Sequence, residues 1–210
     1  MRGGHDPVTA KLARAAARLN VQANASKALP ALVLMTDDDR LPDPLPAVRA
    51  LPDGSLVVLR ARDSVRRAAM ATKLMEIARA CGIRVLIADD PELAVRCGAH
   101  GVHFPEIRIG DAARWRARRP RWLITCAAHS LSSCARSHAA HADAAFLAPV
   151  FATMSHPEGP YLGAFRARAI ALASPLPLYA LGGIDAKNAA RLANAAFAGF
   201  AAIGGLAHDR

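Results

Sequence analysis

His129 stands where an apolar run gives way to polar residues, in Cys126-Ala127-Ala128-His129-Ser130. An imidazole at such a junction can take up and return a proton near neutral pH, the work of a general acid-base. Two glycine pairs, Gly182-Gly183 and Gly204-Gly205, likewise follow apolar runs, which end in Leu181 and Ile203. Glycine lets a phosphate come close to the backbone, and free N–H groups at a turn or helix start supply donors to it. Between His129 and the first glycine pair lies the longest polar loop, residues 148–157, whose Thr153, Ser155 and His156 could close over an anion. Three further junctions carry Arg60 with Arg62, Asp89, and His103, the last read first as a rim residue that packs and hydrogen-bonds. Each feature also has a plainer use: glycines turn chains, histidines cap helices or hydrogen-bond internally, and Ser, Thr and Pro are ordinary loop residues. His100, His103, His129 and His156 lack the HxxxH and HExxH spacings, so no metal site is expected from them.

For these residues to face one another, something must bring the ends of many apolar runs together. After a helical N-terminal stretch, expected to be an extension over residues 1–29, short apolar runs alternate with alanine-rich segments long enough for helices. The expected strands are residues 31–36, 55–61, 84–89, 101–104, 122–128, 144–150, 178–182 and 199–204. Helices are expected at 64–81, 91–97, 111–118, 130–141, 164–173 and 185–196, with a weaker candidate at 44–51. Runs apolar on both faces are what parallel strands covered by helices look like. Strand and helix alternating about eight times predicts an α/β fold, a single compact (β/α)8 TIM barrel over residues 30–210; a doubly wound sheet is the alternative. In such a barrel the functional residues sit where strands end, which is where all the candidates lie. A chain of 210 residues leaves little room for inserted lids, so the site should be built from short loops.

A formal charge of +10 raises the question of nucleic acid, but the arginines are interleaved with alanines as on solvated helix faces and aromatic residues make up only 5%. No nucleic-acid partner is expected, and the basic background favours small anionic substrates instead. No stretch approaches the eighteen consecutive apolar residues of a membrane span. Cys81, Cys97, Cys126 and Cys134 show no CxxC pairing and the N-terminus lacks the apolar core of a signal peptide, so a cytoplasmic protein is expected. The oligomeric state is left open, a homodimer included.

The ordered set of motifs resembles the thiamine phosphate synthase/TenI superfamily from Leu32 to Leu206. The matching pieces are Leu34-Met35-Thr36-Asp37, Val58-Leu59-Arg60-Ala61-Arg62, Leu86-Ile87-Ala88-Asp89, Gly98-Ala99-His100-Gly101-Val102-His103-Phe104, Ala127-Ala128-His129-Ser130, Ala148-Pro149-Val150-Phe151-Ala152-Thr153, Ala180-Leu181-Gly182-Gly183-Ile184 and Ala202-Ile203-Gly204. The resemblance implies a (β/α)8 barrel in the pathway that joins a pyrimidine pyrophosphate to a thiazole phosphate. A synthase of this kind would use Mg²⁺ and a set of polar residues of which Arg60 and Asp89 are present. Val58 stands where the family has a pyrimidine-binding Gln, Arg62 where it has Lys, and Ala88 where it has Asn. Arg108 replaces the second metal-binding Asp, Ala127 a Ser, and His156 the Lys of a Thr-x-Thr-Lys loop. Thr153, Ser155 and both glycine turns, which the resemblance assigns to the thiazole phosphate, are kept. That asymmetry is similar to the TenI branch, which includes a thiazole tautomerase with a His acid-base at the position of His129. The resemblance implies a phosphorylated thiazole-type ligand held by backbone groups of Gly182, Gly183, Ile203 and Gly204, and no metal, Mg²⁺ being needed only if synthase activity is retained. A divergent synthase and a non-catalytic binder are the alternatives. The loop 149–157 also resembles that of TenI-like domains fused to nudix hydrolases.

Overall fold

In a computed structural model, residues 7–23, 29–153, 158–203 and 206 are described. Eight parallel strands close into a barrel in chain order. They are β1 (Leu32–Met35), β2 (Leu56–Leu59), β3 (Arg84–Ala88), β4 (Gly101–Phe104), β5 (Leu123–Ala128), β6 (Ala144–Leu147), β7 (Leu178–Leu181) and β8 (Gly199–Ala202). β8 returns to β1 with Leu32 opposite Phe200 and Leu34 opposite Ala202, which leaves no open edge. The chain is therefore a (β/α)8 barrel, with β4 as long as the sequence pattern suggests and the other strands one to three residues shorter.

Successive side chains of a strand point to opposite faces, and here that alternation separates two cores. Val33 and Met35, Leu56 and Val58, Leu86 and Ala88, Ala144 and Phe146, and Tyr179 gather in the barrel interior. Phe146 stacks on Tyr179 at 4.8 Å between ring centroids, and the Tyr179 hydroxyl donates to Pro30 O at 2.8 Å. The intervening residues, such as Leu34, Val57, Val85, Ile87, Leu147 and Ala180, face outward and bury against the helices. Each such buried aliphatic side chain contributes about 1.5–3 kcal/mol of transfer free energy.

The outer layer comprises α1 (Pro7–Gln22), α2 (Leu45–Arg49), α3 (Ser64–Cys81), α4 (Pro91–Cys97), α5 (Asp111–Arg118), α6 (Leu131–Ala139) and α7 (Gly163–Ala173). Their ends follow local chemistry. Asp63 caps α3 by accepting from Arg66 N, and Gly82 closes it at φ 66°, a left-handed conformation in which other residues are strained. Asp90 and Pro91 open α4, and Ser130 with Ser133 forms a capping box on α6. The N-terminal helix α1 buries Leu12, Ala16 and Leu19 beside β1 and β8, and Asn20 Nδ2 donates to Ala198 O at 2.6 Å.

The helix expected over 185–196 is not formed; a single 3₁₀ turn, Ala189–Leu192, takes its place. Asp185 Oδ1 accepts from the N–H groups of Lys187 and Asn188, while Asn188 Oδ1 accepts from Asp185 N. Such local side-chain bonds offer the backbone an alternative to helix. Left-handed Asn194 and Ala196 then end the segment. Whatever the β7 turn binds, no regular α-helix dipole backs it among the described residues.

Candidate functional site

The inward parity of the strands, carried one step beyond their ends, aims Asp37, Arg60, His129 and Ala148 at the mouth of the barrel. His129 is held through Nδ1. Its Nδ1 lies 2.6 Å from Ala148 O, and a carbonyl can only accept, so Nδ1 carries a proton and, in the neutral ring, Nε2 holds the lone pair. Nε2 is 3.9 Å from Glu106 Oε2, too long for a hydrogen bond and within reach of an ion pair. The other oxygen, Oε1, accepts from Arg136 Nη2 at 2.5 Å. The His129 N–H donates to Ser133 Oγ, which ties the backbone of this residue to the capping box of α6. With 59% of its side chain exposed, the ring remains open to a ligand.

On the opposite flank, Gly182 (φ 100°) and Gly183 (φ 64°) follow β7 in conformations costly for other residues. A Cβ on Gly182 would lie 2.9 Å from Pro149 Cα, and one on Gly183 would lie 2.2 Å from Ala152 O. The glycines therefore admit the loop after β6, which donates Val150 N–H to Leu181 O and Phe151 N–H to Gly182 O. Asn188 Nδ2 donates to Gly183 O, and the Arg191 guanidinium lies 5.2 Å from the Phe151 ring centroid. The bland use of these glycines and the ligand use coincide, since the Gly182 and Gly183 N–H groups have no acceptor among the described residues. Thr153 is half-buried at the end of the same loop and Ile203 is buried after β8. Ser155, His156, Gly204 and Gly205 lie outside the described residues.

The β1–β4 side of the mouth is a lattice of ion pairs. Asp37 Oδ2 accepts from Arg60 at 2.5 Å and from Arg40 at 3.0 Å, and these guanidiniums, Arg40 first, hold the Asp37 carboxyl well below the usual carboxylate range. Arg62 pairs with Asp39, both exposed. Asp89, in the left-handed region at φ 59°, accepts from Arg108 Nη1 at 2.6 Å on Oδ1 and at 3.2 Å on its backbone oxygen. The same guanidinium bonds Asp111 through Nε at 2.7 Å.

His103 departs from its expected place. It packs and hydrogen-bonds as expected, but in the barrel interior, 7% exposed, rather than at the rim, because the register sets it opposite Ala88 and Thr125 inside the strands. Its Nδ1 shares a hydrogen bond of 3.0 Å with Thr125 Oγ1, and its ring meets Phe146 edge-on at 5.1 Å. Burial, aided by the charge of Arg60, pushes the imidazole down to about 4.

Residues 32–206 match the family described as thiamine monophosphate synthase. The chain belongs to that family. A thiamine-phosphate synthase of Methanoculleus marisnigri is 35% identical over 136 residues, 63% of this chain and 64% of that protein. The thiamine-phosphate synthase of Bordetella pertussis is 34% identical over 81% of this chain and 82% of its own length. Of the first four curated relatives matched, the chain spans 64%, 27%, 34% and 53% of their lengths. A solved thiamine phosphate pyrophosphorylase from Pyrococcus furiosus superposes with a TM-score of 0.69 over 82% of this chain and 84% of that one, at 21% identity, and so bears on the fold.

Within the thiamine monophosphate synthase family, the resemblance marks Asp89 and the position of Arg108 for Mg²⁺. The residues present do not fit that ion. One carboxylate has become a guanidinium, and this guanidinium occupies Oδ1 of the other. Among the described residues no three His, Cys, Asp or Glu side chains converge to hold a metal. Two partners at the mouth escape the sequence reading, Glu106 and Arg136. Both lie on elements next to β4 and β5, a 3₁₀ turn (Glu106–Arg108) and α6, and only the fold brings them to His129. The one legible signal for Glu106 is its place directly after a strand end.

Proposed function

We propose that this chain binds a thiazole phosphate at the β7–β8 side of the mouth and moves a proton on it through His129, without a metal. The observation that carries this reading is the fixed Nδ1–H of His129: it is committed to Ala148 O, so in the neutral ring Nε2 is the basic atom, on a side chain that is 59% exposed with Glu106 Oε2 3.9 Å away. The N–H groups of Gly182 and Gly183, without acceptors among the described residues, supply donors for a phosphate, and Thr153 stands on the loop beside them. Nε2 would take a proton from a ring carbon of a carboxythiazole phosphate and return it at another position, leaving the aromatic thiazole. Electrons and protons balance within the one substrate.

Purified protein should speed this aromatisation, and His129→Ala should lower the rate roughly a hundredfold or more, the usual contribution of one acid-base group. Equal rates for the two proteins would remove the proposal. A second reading, a divergent synthase joining a pyrimidine pyrophosphate to a thiazole phosphate, is favoured by the relatives named thiamine-phosphate synthase. Against it stands the Asp89–Arg108 pair. Mg²⁺-dependent formation of thiamine phosphate would establish the second reading, and its absence at high enzyme concentration would dismiss it.

A further inference from the structure

Glu106 is not accounted for by the proton shift as stated above. It follows Pro105 at the start of the 3₁₀ turn after β4, with its side chain 28% exposed, and touches two different elements with its two oxygens. Oε1 is held by Arg136 of α6 at 2.5 Å, whereas Oε2 is directed to Nε2 of His129 at 3.9 Å. A glutamate serving only to tie the turn to α6 needs one oxygen on Arg136. The second oxygen is aimed at the one nitrogen of His129 that the Ala148 carbonyl leaves free.

We propose that Glu106 is the positioning residue of the proton transfer: anchored by Arg136, its carboxylate sets the His129 ring and balances the imidazolium formed when Nε2 takes a substrate proton. This rests on the proton shift proposed above. The chain of contacts is Arg136 to Glu106 to His129 to Ala148 O, with the ring clamped between a carboxylate and a carbonyl. While the ring is neutral it gains little from a carboxylate at 3.9 Å. Once Nε2 is protonated it becomes a donor carrying positive charge, and a small approach of Oε2 makes a charge-assisted hydrogen bond. An interaction made in the protonated state and not before lowers the barrier of the step and leaves ground-state binding unchanged. Arg136 prevents Glu106 from collapsing onto His129 as a full ion pair beforehand, since it already holds one oxygen.

The test is a double-mutant cycle on the full chain with Glu106→Gln and His129→Asn, read by steady-state kinetics on the carboxythiazole phosphate and by ¹⁵N resonances of the histidine rings at fixed pH. Glu106→Gln should reduce kcat roughly fivefold, the scale of a partly exposed ion pair, with KM unchanged. In the His129→Asn background the same change should cost less than about twofold, because Glu106 acts through the ring. In the ligand-free protein, Glu106→Gln should move the ring resonances of His129 and leave those of the other histidines in place. Unmoved His129 resonances overturn the proposal, as does an equal loss of kcat with and without His129. A wild-type protein that turns over no thiazole substrate while its His129 resonances respond to Glu106→Gln overturns the proton-shift reading and upholds the Glu106–His129 pairing.

Discussion

Acidification should weaken this barrel through His103 before it affects the carboxylates. The ring is 7% exposed, bonded to Thr125 and packed on Phe146, and burial lowers its pKa to about 4. In the unfolded chain the same ring titrates near the ordinary 6.5. Above 6.5 both states hold it neutral and the folded state keeps its full stability. As pH falls from 6.5 toward 4 the unfolded chain binds a proton that the folded protein does not, so folding stability declines across that window. The separation of about 2.5 pKa units at 1.36 kcal/mol each sets the limit at about 3 kcal/mol, of which about 2 kcal/mol is lost by pH 5. Urea unfolding of the wild type and of His103→Gln at pH 7.5, 6 and 5 isolates the contribution, because every other group titrates alike in both, including His100, which burial and then the Arg84 and Arg79 charges also lower. The variant keeps a partner for Thr125 and starts less stable, but its stability should decline less over the window, by about 2 kcal/mol. Parallel loss in the two proteins would refute the buried, neutral assignment of His103.

Two other substitutions probe the two sides of the mouth. Gly183→Ala places a Cβ 2.2 Å from Ala152 O at φ 64°, so it should cost about 1–3 kcal/mol in thermal or urea unfolding and weaken inorganic phosphate binding measured by calorimetry. A variant as stable as wild type that binds phosphate equally well would contradict the packing described for the loop after β6. Arg108→Asp removes the guanidinium from Asp89 Oδ1 and sets a second carboxylate near it, so calorimetric Mg²⁺ binding should appear in the variant and be absent or much weaker in the wild type. Mg²⁺ binding of equal strength in both proteins would show that Arg108 does not block the ion.

What the sequence made legible follows the strands. Apolar runs covered on both faces, such as Val85, Leu86 and Ile87 in β3, declare a buried parallel strand regardless of neighbours, and eight of them in alternation leave few architectures. The rim candidates on strand parity, Arg60 and His129, could be found by counting from the runs. His103 misleads because the register, which sets it opposite Thr125 and so below the level of His129, cannot be read from one strand's own sequence. The segment 185–196 reads as helix from its alanines, yet Asp185 and Asn188 bond each other's backbone and stop it. Glu106 approaches His129 across the β4–β5 junction and is held there by Arg136, a pairing that no local pattern encodes.

The electrostatics of the mouth divide it into two unlike halves. On the β1–β4 side three carboxylates already have a guanidinium: Asp37 with Arg40 and Arg60, Asp39 with Arg62, and Asp89 with Arg108. A cation entering there would have to displace an arginine from each ligand, and removing a guanidinium from a carboxylate that is partly shielded from water costs more than an exposed ion pair contributes. On the β5–β8 side the polar groups in view are an imidazole nitrogen with its lone pair and two glycine amides without acceptors among the described residues. The glycine amides can donate to an anion, and the imidazole nitrogen can accept a proton. Strand alternation keeps the helix-facing core separate from the residues that line the barrel and its mouth. A barrel of this kind can lose one half of its site while its fold and the other half persist. Direct competition between inorganic phosphate and inorganic pyrophosphate distinguishes the halves: phosphate should protect Gly183 from amide exchange, and neither anion should depend on Mg²⁺ for binding.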